Sequence, residues 1–303
     1  MAGHHHHHHG AADLGGRRLA LAIVVNLGLT VAQIIGGVVS GSLALIADAI
    51  HNLSDALALV IAWAARRIGQ RPADAGMTFG YKRAEVVAAL INYTSLIAIA
   101  IYLIVEGVNR LMDPQPIDGW IVVVLAGLAL MVDAATAALT YTLSRTSLNI
   151  RAAFLHNLAD ALASIGVIIA GSLILIYDLR WVDPALTLMI AAYILWQSLV
   201  EIRPAIRILM LAGPSDLPLE DVLARLARID GIADIHHVHL WQMQEHQAAF
   251  DAHVQIDPGR WDEADQLKRR MKQVLAEEFG IQHSTLELEC AQHGCTAPNQ
   301  VGH

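Results

Sequence analysis

Charged residues are scarce in this sequence. They make up 16% of its 303 residues, whereas 55% are hydrophobic; in an ordinary soluble domain about a quarter are charged. The mean hydropathy of +0.47 is also too high for a soluble protein of this size, so we predict several membrane spans. No cleavable signal peptide is expected, because the first apolar run is long enough to span and is followed directly by another.

Cysteine and basic residues are also few. The only cysteines are Cys290 and Cys295, and this spacing forms neither a CxxC pair nor a disulfide framework. They could join a metal site, but reduced thiols on a tail are the simpler interpretation.

The net charge of −8 arises from Pro214 onward, where there are 15 acidic residues and 7 basic ones. A nucleic-acid-binding surface needs the opposite sign, so we expect no nucleic-acid partner.

Six apolar runs follow an N-terminal hexahistidine tag and tail at 1–16, which we exclude from fold reasoning. Each is near the roughly 20 residues that cross a bilayer, and together they predict an all-α transmembrane domain over 17–212. The runs are 18–39, 42–66, 84–111, 117–143, 149–177 and 182–202.

The rest of the chain predicts a cytoplasmic α+β domain over 213–290, with a tail at 291–303. Its pattern reads αββαβ: a helix over 217–229 with Asp216 as N-cap, strands at 235–243 and 248–256, a helix over 261–279 ended by Gly280, and a strand at 284–289. Helices packed on a short sheet are the expected arrangement.

Basic residues predict the orientation. Lys and Arg cluster before the first run, in the even-numbered loops and after the sixth run, whereas the odd-numbered loops contain only Arg110 and Arg180. By the positive-inside rule, both termini and the even-numbered loops are cytoplasmic. The second and fifth runs therefore cross the membrane in opposite directions.

One eight-residue pattern occurs in both of those runs, as HNLSDALA at 51–58 and HNLADALA at 156–163. Residues four apart share a helix face, so each copy presents one imidazole and one carboxylate. Two His and two Asp suit a tetrahedral divalent metal such as zinc. We therefore predict that His51, Asp55, His156 and Asp160 form one site near the membrane midplane.

Protonation chemistry makes such a site an exchanger. Neutral His and ionised Asp bind metal, whereas their protonated forms do not, so metal and protons displace each other. The alternative is a structural polar network in which His donates to Asp between helices. Asp48 lies on roughly the same face as His51 and is expected to line the approach, because the second copy has Ala153 in its place.

Histidines are concentrated in the soluble segment. Alternation along a strand predicts that His237 and His239 share one face and that His236 lies on the other. With His253 on the next strand, and with His283, Glu287 and Glu289 on or before the last, one or two further divalent-metal sites could assemble. The alternative is a solvated, His-rich surface.

At these residues the sequence resembles the cation diffusion facilitator family. The resemblance rests on the paired HxxxD motifs, on TFGYKRAE at 78–85, on HHVHLW at 236–241, on HSTLELE at 283–289 and on the αββαβ segment, which is similar to a small metallochaperone. It implies a homodimer joined largely through this segment and proton-coupled metal export by alternating access. It places transport ligands at His51, Asp55, His156 and Asp160, and cytoplasmic ligands at His236, His253, His283 and Glu289.

The sequence departs from the family pattern in two loops. Some members bind metal between spans two and three through an Asp and two His, but here only Asp74 remains, with Met77 and Tyr81 at the His positions. We expect no metal site there. The loop between spans four and five lacks the His-rich insert of many eukaryotic relatives, which fits a bacterial, inner-membrane protein.

The expected function is therefore zinc export by a dimeric proton antiporter, with zinc also bound in the cytoplasmic domain. Cadmium, cobalt, nickel and iron remain alternative substrates. A membrane metallo-enzyme that uses zinc to activate water is a hypothesis of another class, although the chain has no HExxH motif. A third hypothesis is a sensor whose tail detects metal while its spans act as an anchor.

Overall fold

The computed structural model describes residues 27–144, 148–245, 247–290, 294–295 and 299–302. The tag and the start of the predicted run at 18–39 lie outside these residues. The chain divides into two compact units. The helical unit comprises residues up to 61 and 92–200, and the sheet unit comprises 62–91 and everything from 201 onward.

Within the residues that the structure describes, six apolar helices, α1 to α6, precede the sheet-forming segment. They span Leu27–Ser40, Leu43–Gly69, Ala84–Met112, Gly119–Ser144, Leu148–Tyr177 and Val182–Leu209. Helices α2 to α6 contain five segments that are long and apolar enough to cross a membrane, whereas the described part of α1 is shorter than a span. The five later runs thus form helices as predicted, and the full length of the first lies partly outside the described residues.

Helix α6 is longer than predicted. The prediction ended at 202, where Glu201 and Arg203 interrupt the apolar run, but the helix continues to Leu209 through Pro204. Hydropathy indicates where a segment can face lipid, whereas a helix persists as long as its backbone hydrogen bonds do.

Large apolar side chains cover the outside of the helical unit. Val38 is 68% exposed, Tyr102 63% and Met189 66%, which would be a liability in water and is expected against lipid tails. Inside, Leu45 of α2 packs with Val122 and Ala126 of α4 and Val167 of α5. The helical unit thus has an apolar exterior and a small interior core to which α2, α4 and α5 contribute.

A buried carboxylate caps helix α2 from another helix. Asp183, at the start of α6 and with no exposed surface, accepts a hydrogen bond from the Ser42 hydroxyl and, at 2.8 Å, one from the backbone N–H of Leu43. The first N–H groups of a helix have no partner within the helix, and negative charge is favoured there. The sequence provided no local signal for this cap, because its residues lie about 140 positions apart.

The sheet unit has the predicted αββαβ order. Helix α7 spans Leu219–Leu226, β1 Ile232–Gln244, β2 Gln247–Ile256, α8 Ala264–Phe279 and β3 His283–Cys290, with a short 3₁₀ turn at Trp261–Glu263. The sheet order is β1-β2-β3; β2 is antiparallel to β1 and parallel to β3. Fully buried side chains fill one core between helices and sheet: Val222, Leu226, Val238, Phe250, Met271 and Leu275.

The predicted N-cap of α7 at Asp216 is wrong, whereas the predicted end of α8 at Gly280 is confirmed. Pro218 precedes α7, and no side chain caps the helix. Because the residue before a proline is disfavoured in the helical region, the helix cannot begin at Leu217 after Asp216. Gly280 ends α8 with φ of 68°, the left-handed conformation that glycine adopts without strain.

Met271 tests the core of the sheet unit. Met271→Ala should destabilise this unit by about 2–5 kcal/mol, because removing this fully buried side chain leaves a cavity in the core. Hydrogen exchange of the β1–β3 amides in the full-length protein measures the local unfolding free energy. The adjacent, exposed Lys272 supplies the control Lys272→Ala, and equal protection in the two variants would contradict the assigned core.

Candidate metal centres

His51 of α2 and Asp160 of α5 meet inside the helical unit. The distance between His51 Nε2 and Asp160 Oδ1 is 3.5 Å, and their side chains are 14% and 8% exposed. Helices α2 and α5 also contain Asp55 and His156, one helical turn from these residues. The side chains of Asp55 and His156 lie outside the described part of the structure. The contact between the two motif copies is therefore observed for His51 of the first copy and Asp160 of the second.

Further polar side chains are buried around this pair. Asp48 is 2% exposed, accepts a 2.9 Å hydrogen bond from Gln33 of α1, and interacts electrostatically with His51, Asp133 and Asp160. Asp133 of α4 accepts a 3.4 Å hydrogen bond from Ser164 of α5. Ionisable groups are costly in a membrane unless they face partners, a cavity or an ion, and here four of them share one interior.

The second cluster lies in the sheet unit. Ligand atoms of His236, His237, His253 and Cys295 all lie within 4.8 Å of one another. His236 is 3% exposed and the other three are partly buried. The ring centroids of His237 and His253 are 4.9 Å apart, and those of His236 and His253 are 5.6 Å apart.

A break in strand β1 brings His236 and His237 together. The register between β1 and β2 shifts between His236 and His239, and His237 has φ of 50°. A regular strand would alternate the two side chains, but a bulge with left-handed backbone redirects one of them. The prediction that His236 lies on the opposite face from His237 is therefore wrong, because both contribute to one cluster.

Glu289 of β3 borders this cluster. Its Oε1 is 2.6 Å from His253 Nδ1, and its Oε2 accepts a 3.2 Å hydrogen bond from the Cys295 backbone N–H. Burial raises the pKa of Glu289, but the hydrogen bonds from His253 and Cys295 outweigh it and bring the pKa below its usual value. Burial, the hydrogen bond to Glu289 and the charge of Glu289 raise the pKa of the Cys295 thiol.

The orientation of His236 fits a metal ligand. Its Nδ1 lies 2.9 Å from Asp234 Oδ2, whereas its buried Nε2 has no hydrogen-bond partner within the described part of the chain. Glu289 Oε2 is 3.3 Å from that nitrogen, but the contact lacks hydrogen-bond geometry. Metal-bound histidines typically donate their other nitrogen to a carboxylate, as Asp234 allows here, and the imidazole and thiol donors suit zinc.

Two predicted cytoplasmic ligands lie elsewhere. His283 pairs with Ala249, four residues along β2 from His253, and its ring lies against Phe79 at a centroid distance of 6.0 Å. His239 pairs with Asp251 beyond the bulge. Conversely, sequence reasoning treated Cys295 as a tail thiol. No regular spacing in the sequence relates Cys295 to the histidines, and only the tertiary structure shows that it lies beside them.

Asp74 stabilises a turn in the loop between α2 and α3. It accepts hydrogen bonds from the backbone N–H groups of Gly76 and Met77, at 2.8 and 2.9 Å, and from the Tyr81 hydroxyl at 2.6 Å. The Tyr81 hydrogen bond, followed by the two backbone bonds, lowers the pKa of Asp74. Tyr81, at one of the positions where the family resemblance led us to look for His, thus binds this carboxylate.

Both parts of the chain match one known family. Residues 19–210 match the cation efflux transmembrane domain, and residues 214–290 match the cation efflux protein, cytoplasmic domain. The chain belongs to the cation diffusion facilitator family. As a member, it is a multi-pass membrane transporter for divalent metal cations and not an enzyme, so the metallo-enzyme hypothesis is wrong.

Relatives align over nearly the whole chain. The metal cation efflux system protein CzcD of Cupriavidus metallidurans is 34% identical, over 99% of this chain and 96% of that protein. The zinc transporter ZitB of Pectobacterium atrosepticum is 35% identical, over 95% and 90%. A protein of Bacillus velezensis named cadmium, cobalt and zinc/H(+)-K(+) antiporter is 32% identical, over 91% and 88%.

His253 tests the cluster in the sheet unit. His253→Ala should weaken zinc binding to the full-length protein at least about tenfold, because even a second-shell partner of a metal ligand contributes that much. Titration against a chromophoric chelator, with the tag removed, measures the affinity. His239→Ala removes a histidine of the same strand pair outside the cluster and should leave affinity unchanged; equal losses in both variants would contradict the assigned cluster.

Proposed function

We propose that the protein exports zinc across the bacterial inner membrane in exchange for protons. In this proposal His51, Asp55, His156 and Asp160 bind the ion in transit, and Asp48 lines its approach. Six spans place both termini and the sheet unit in the cytoplasm, where the sheet unit binds metal and joins two copies into a homodimer. Alternating access then exposes the transport site to each side in turn.

The contact between His51 and Asp160 carries the proposal. The two side chains belong to different motif copies on different helices, yet His51 Nε2 and Asp160 Oδ1 are 3.5 Å apart in a mostly buried position. One turn of helix separates each from the remaining residue of its own copy. A single ion between α2 and α5 could therefore receive two imidazoles and two carboxylates.

Donor chemistry supports zinc as the substrate. Imidazole and carboxylate suit zinc in tetrahedral coordination, whereas an all-oxygen set would suit manganese or magnesium. The names of the relatives point the same way: zinc is named for two of them, once together with cadmium and cobalt. Cadmium and cobalt are thus the alternative substrates with most support.

Proton coupling follows from the same ligands. A metal ion binds the ionised Asp160 and neutral His51, and binding releases whatever protons these groups held. On the acidic side of the membrane, protons regain the ligands and the ion leaves. A Bacillus velezensis relative is named as an antiporter that includes H(+), which supports this direction of exchange.

Two readings compete with transport through this site. In the first, the contact between His51 and Asp160 is purely structural and holds α2 to α5. The burial of Asp48 and Asp133 in the same interior argues against this hypothesis, because buried carboxylates cost more than they contribute to stability unless a cation joins them. In the sensor reading, the sheet unit detects metal and the helices merely anchor it. That reading leaves the paired intramembrane motifs without a role.

Asp160 provides the direct test. In proteoliposomes with a zinc-sensitive dye inside, an acidic interior should drive zinc inward as protons leave. Asp160→Asn keeps the shape of the side chain but removes its charge, so the flux should fall at least about tenfold. Collapsing the pH gradient should abolish the proton-driven part of the wild-type flux.

The control is an exposed carboxylate of the helical unit. Asp113 lies in the loop between α3 and α4 and is exposed, so Asp113→Asn changes the same charge away from the site and should transport normally. If Asp160→Asn transports zinc as fast as the wild type, the proposal is wrong and the His51–Asp160 contact has a structural role only.

A further inference from the structure

The C-terminal tail returns to the edge of the sheet. The sheet order β1-β2-β3 leaves one edge of β1 unpaired by another strand. There the backbone N–H groups of His237 and Val238 donate to the carbonyl oxygens of Asn299 and Gln300, at 2.9 and 3.1 Å. Val301 forms a parallel bridge with Val238. The tail thus pairs with β1 at the bulge that redirects His237.

A second attachment holds the tail over β3. The Cys295 backbone N–H donates to Glu289 Oε2, and Gly294 lies so close that a Cβ there would be 3.2 Å from this oxygen and 3.4 Å from Gln255 Nε2. The first distance is tighter than ordinary van der Waals contact, so a side chain at 294 requires either the Glu289 carboxylate or the tail to shift. Cys295 is therefore held from both sides.

The thiol of Cys295 faces the imidazoles. Its Sγ is 3.6 Å from His253 Nδ1 and 3.7 Å from His237 Nδ1. In a tetrahedral zinc site the sulfur and nitrogen ligands lie about 3.6 Å apart, given Zn–S and Zn–N bonds of about 2.3 and 2.0–2.1 Å. His236 adds its buried Nε2, which has no hydrogen-bond partner within the residues described. The two sulfur–nitrogen distances therefore match the spacing around one ion, and all four donors lie within 4.8 Å of one another.

We propose that Cys295 is a thiolate ligand, delivered by the C-terminal tail to a divalent metal ion that His236, His237 and His253 also bind. This inference rests on the proposed metal site of the sheet unit and extends it, but it does not depend on transport through the helical unit. On binding, the metal replaces the thiol proton, which passes to solvent or to Glu289. The three-nitrogen, one-sulfur set selects zinc, cadmium and cobalt over harder ions such as magnesium and manganese.

Cobalt is the probe, because a thiolate bound to Co²⁺ gives an intense sulfur-to-metal charge-transfer absorption. Cys290 and Cys295 are the only cysteines of the chain, so the tag and the intramembrane His and Asp residues cannot produce this band. Full-length protein in detergent, titrated with Co²⁺, should show the band in the wild type and in Cys290→Ser. It should be lost in Cys295→Ser.

The tail has its own test. Ending the chain after Cys290 should abolish the band as fully as Cys295→Ser does. Gly294→Val keeps every ligand but disturbs the contact between the tail and Glu289, and should weaken Co²⁺ binding by the sulfur-containing site at least about tenfold. Unchanged binding in Gly294→Val would show that the thiol does not need the tail geometry described above.

Thiol protection is a second readout. Zinc should slow alkylation of Cys295 at least about tenfold, because the bound thiolate is no longer the free nucleophile, while Cys290 should react at the same rate with and without zinc. Quantification of the modified peptides by mass spectrometry separates the two positions. Equal effects of zinc on both cysteines would overturn the assignment.

The possible outcomes distinguish a failure of this inference from a failure of the proposed metal site in the sheet unit or of the proposed transport. A charge-transfer band that persists in Cys295→Ser, or is absent from the wild type, overturns the role of Cys295. If weaker tetrahedral cobalt bands are then still present and vanish in His253→Ala, the histidine site stands without the thiol. If these bands are absent as well, the metal site of the sheet unit fails, and the zinc flux through the helical unit is judged by the Asp160 variants alone.

Discussion

The meeting of His51 and Asp160 is the contact on which the helical unit depends. An ionisable side chain within an apolar helix is expensive unless it has a partner, and here the partner comes from a different helix, α5. This requirement fixes which faces of α2 and α5 point inward. The same faces present Asp48 and Ser164 to the interior, while the large apolar residues remain for the lipid.

The interior pair also links structure to function. A His–Asp ion pair is satisfied without metal, and the same atoms are good ligands once their protons leave. A transport site must release its ion as well as bind it, so ligands that protons can reclaim suit it better than a closed thiolate site. Under the proposed function, the carboxylates of Asp48 and Asp133 in the same interior would add to its attraction for a cation.

The sheet unit reaches its cluster by a different principle. There an irregularity is required, because a regular β1 would place His236 and His237 on opposite faces of the sheet. The bulge costs some backbone strain at His237, whose φ is 50°, and the tail compensates by taking up the amides of His237 and Val238. Unlike the helical site, this cluster includes a thiol, so the two centres differ in softness as well as in surroundings.

Local periodicity determined much of this protein. Hydropathy over 20 residues predicted the helices, and the four-residue spacing in each HNLxDALA copy placed its imidazole and carboxylate on one face, because an α-helix repeats every 3.6 residues. Alternation and turn residues likewise predicted the αββαβ order and the end of α8 at Gly280. Each of these signals lies within a short stretch of chain.

Contacts between distant stretches were decided only by the tertiary structure. The capping of α2 by Asp183 and the return of Cys295 to His237 and His253 join residues that no spacing relates. The grouping of His236 with His237 depended on a bulge, whose position follows from the pairing of β1 with β2 and the tail and not from the alternation of β1 itself. Sequence alone could therefore name most of the candidate ligands, whereas how they come together required the packing of distant stretches of the chain.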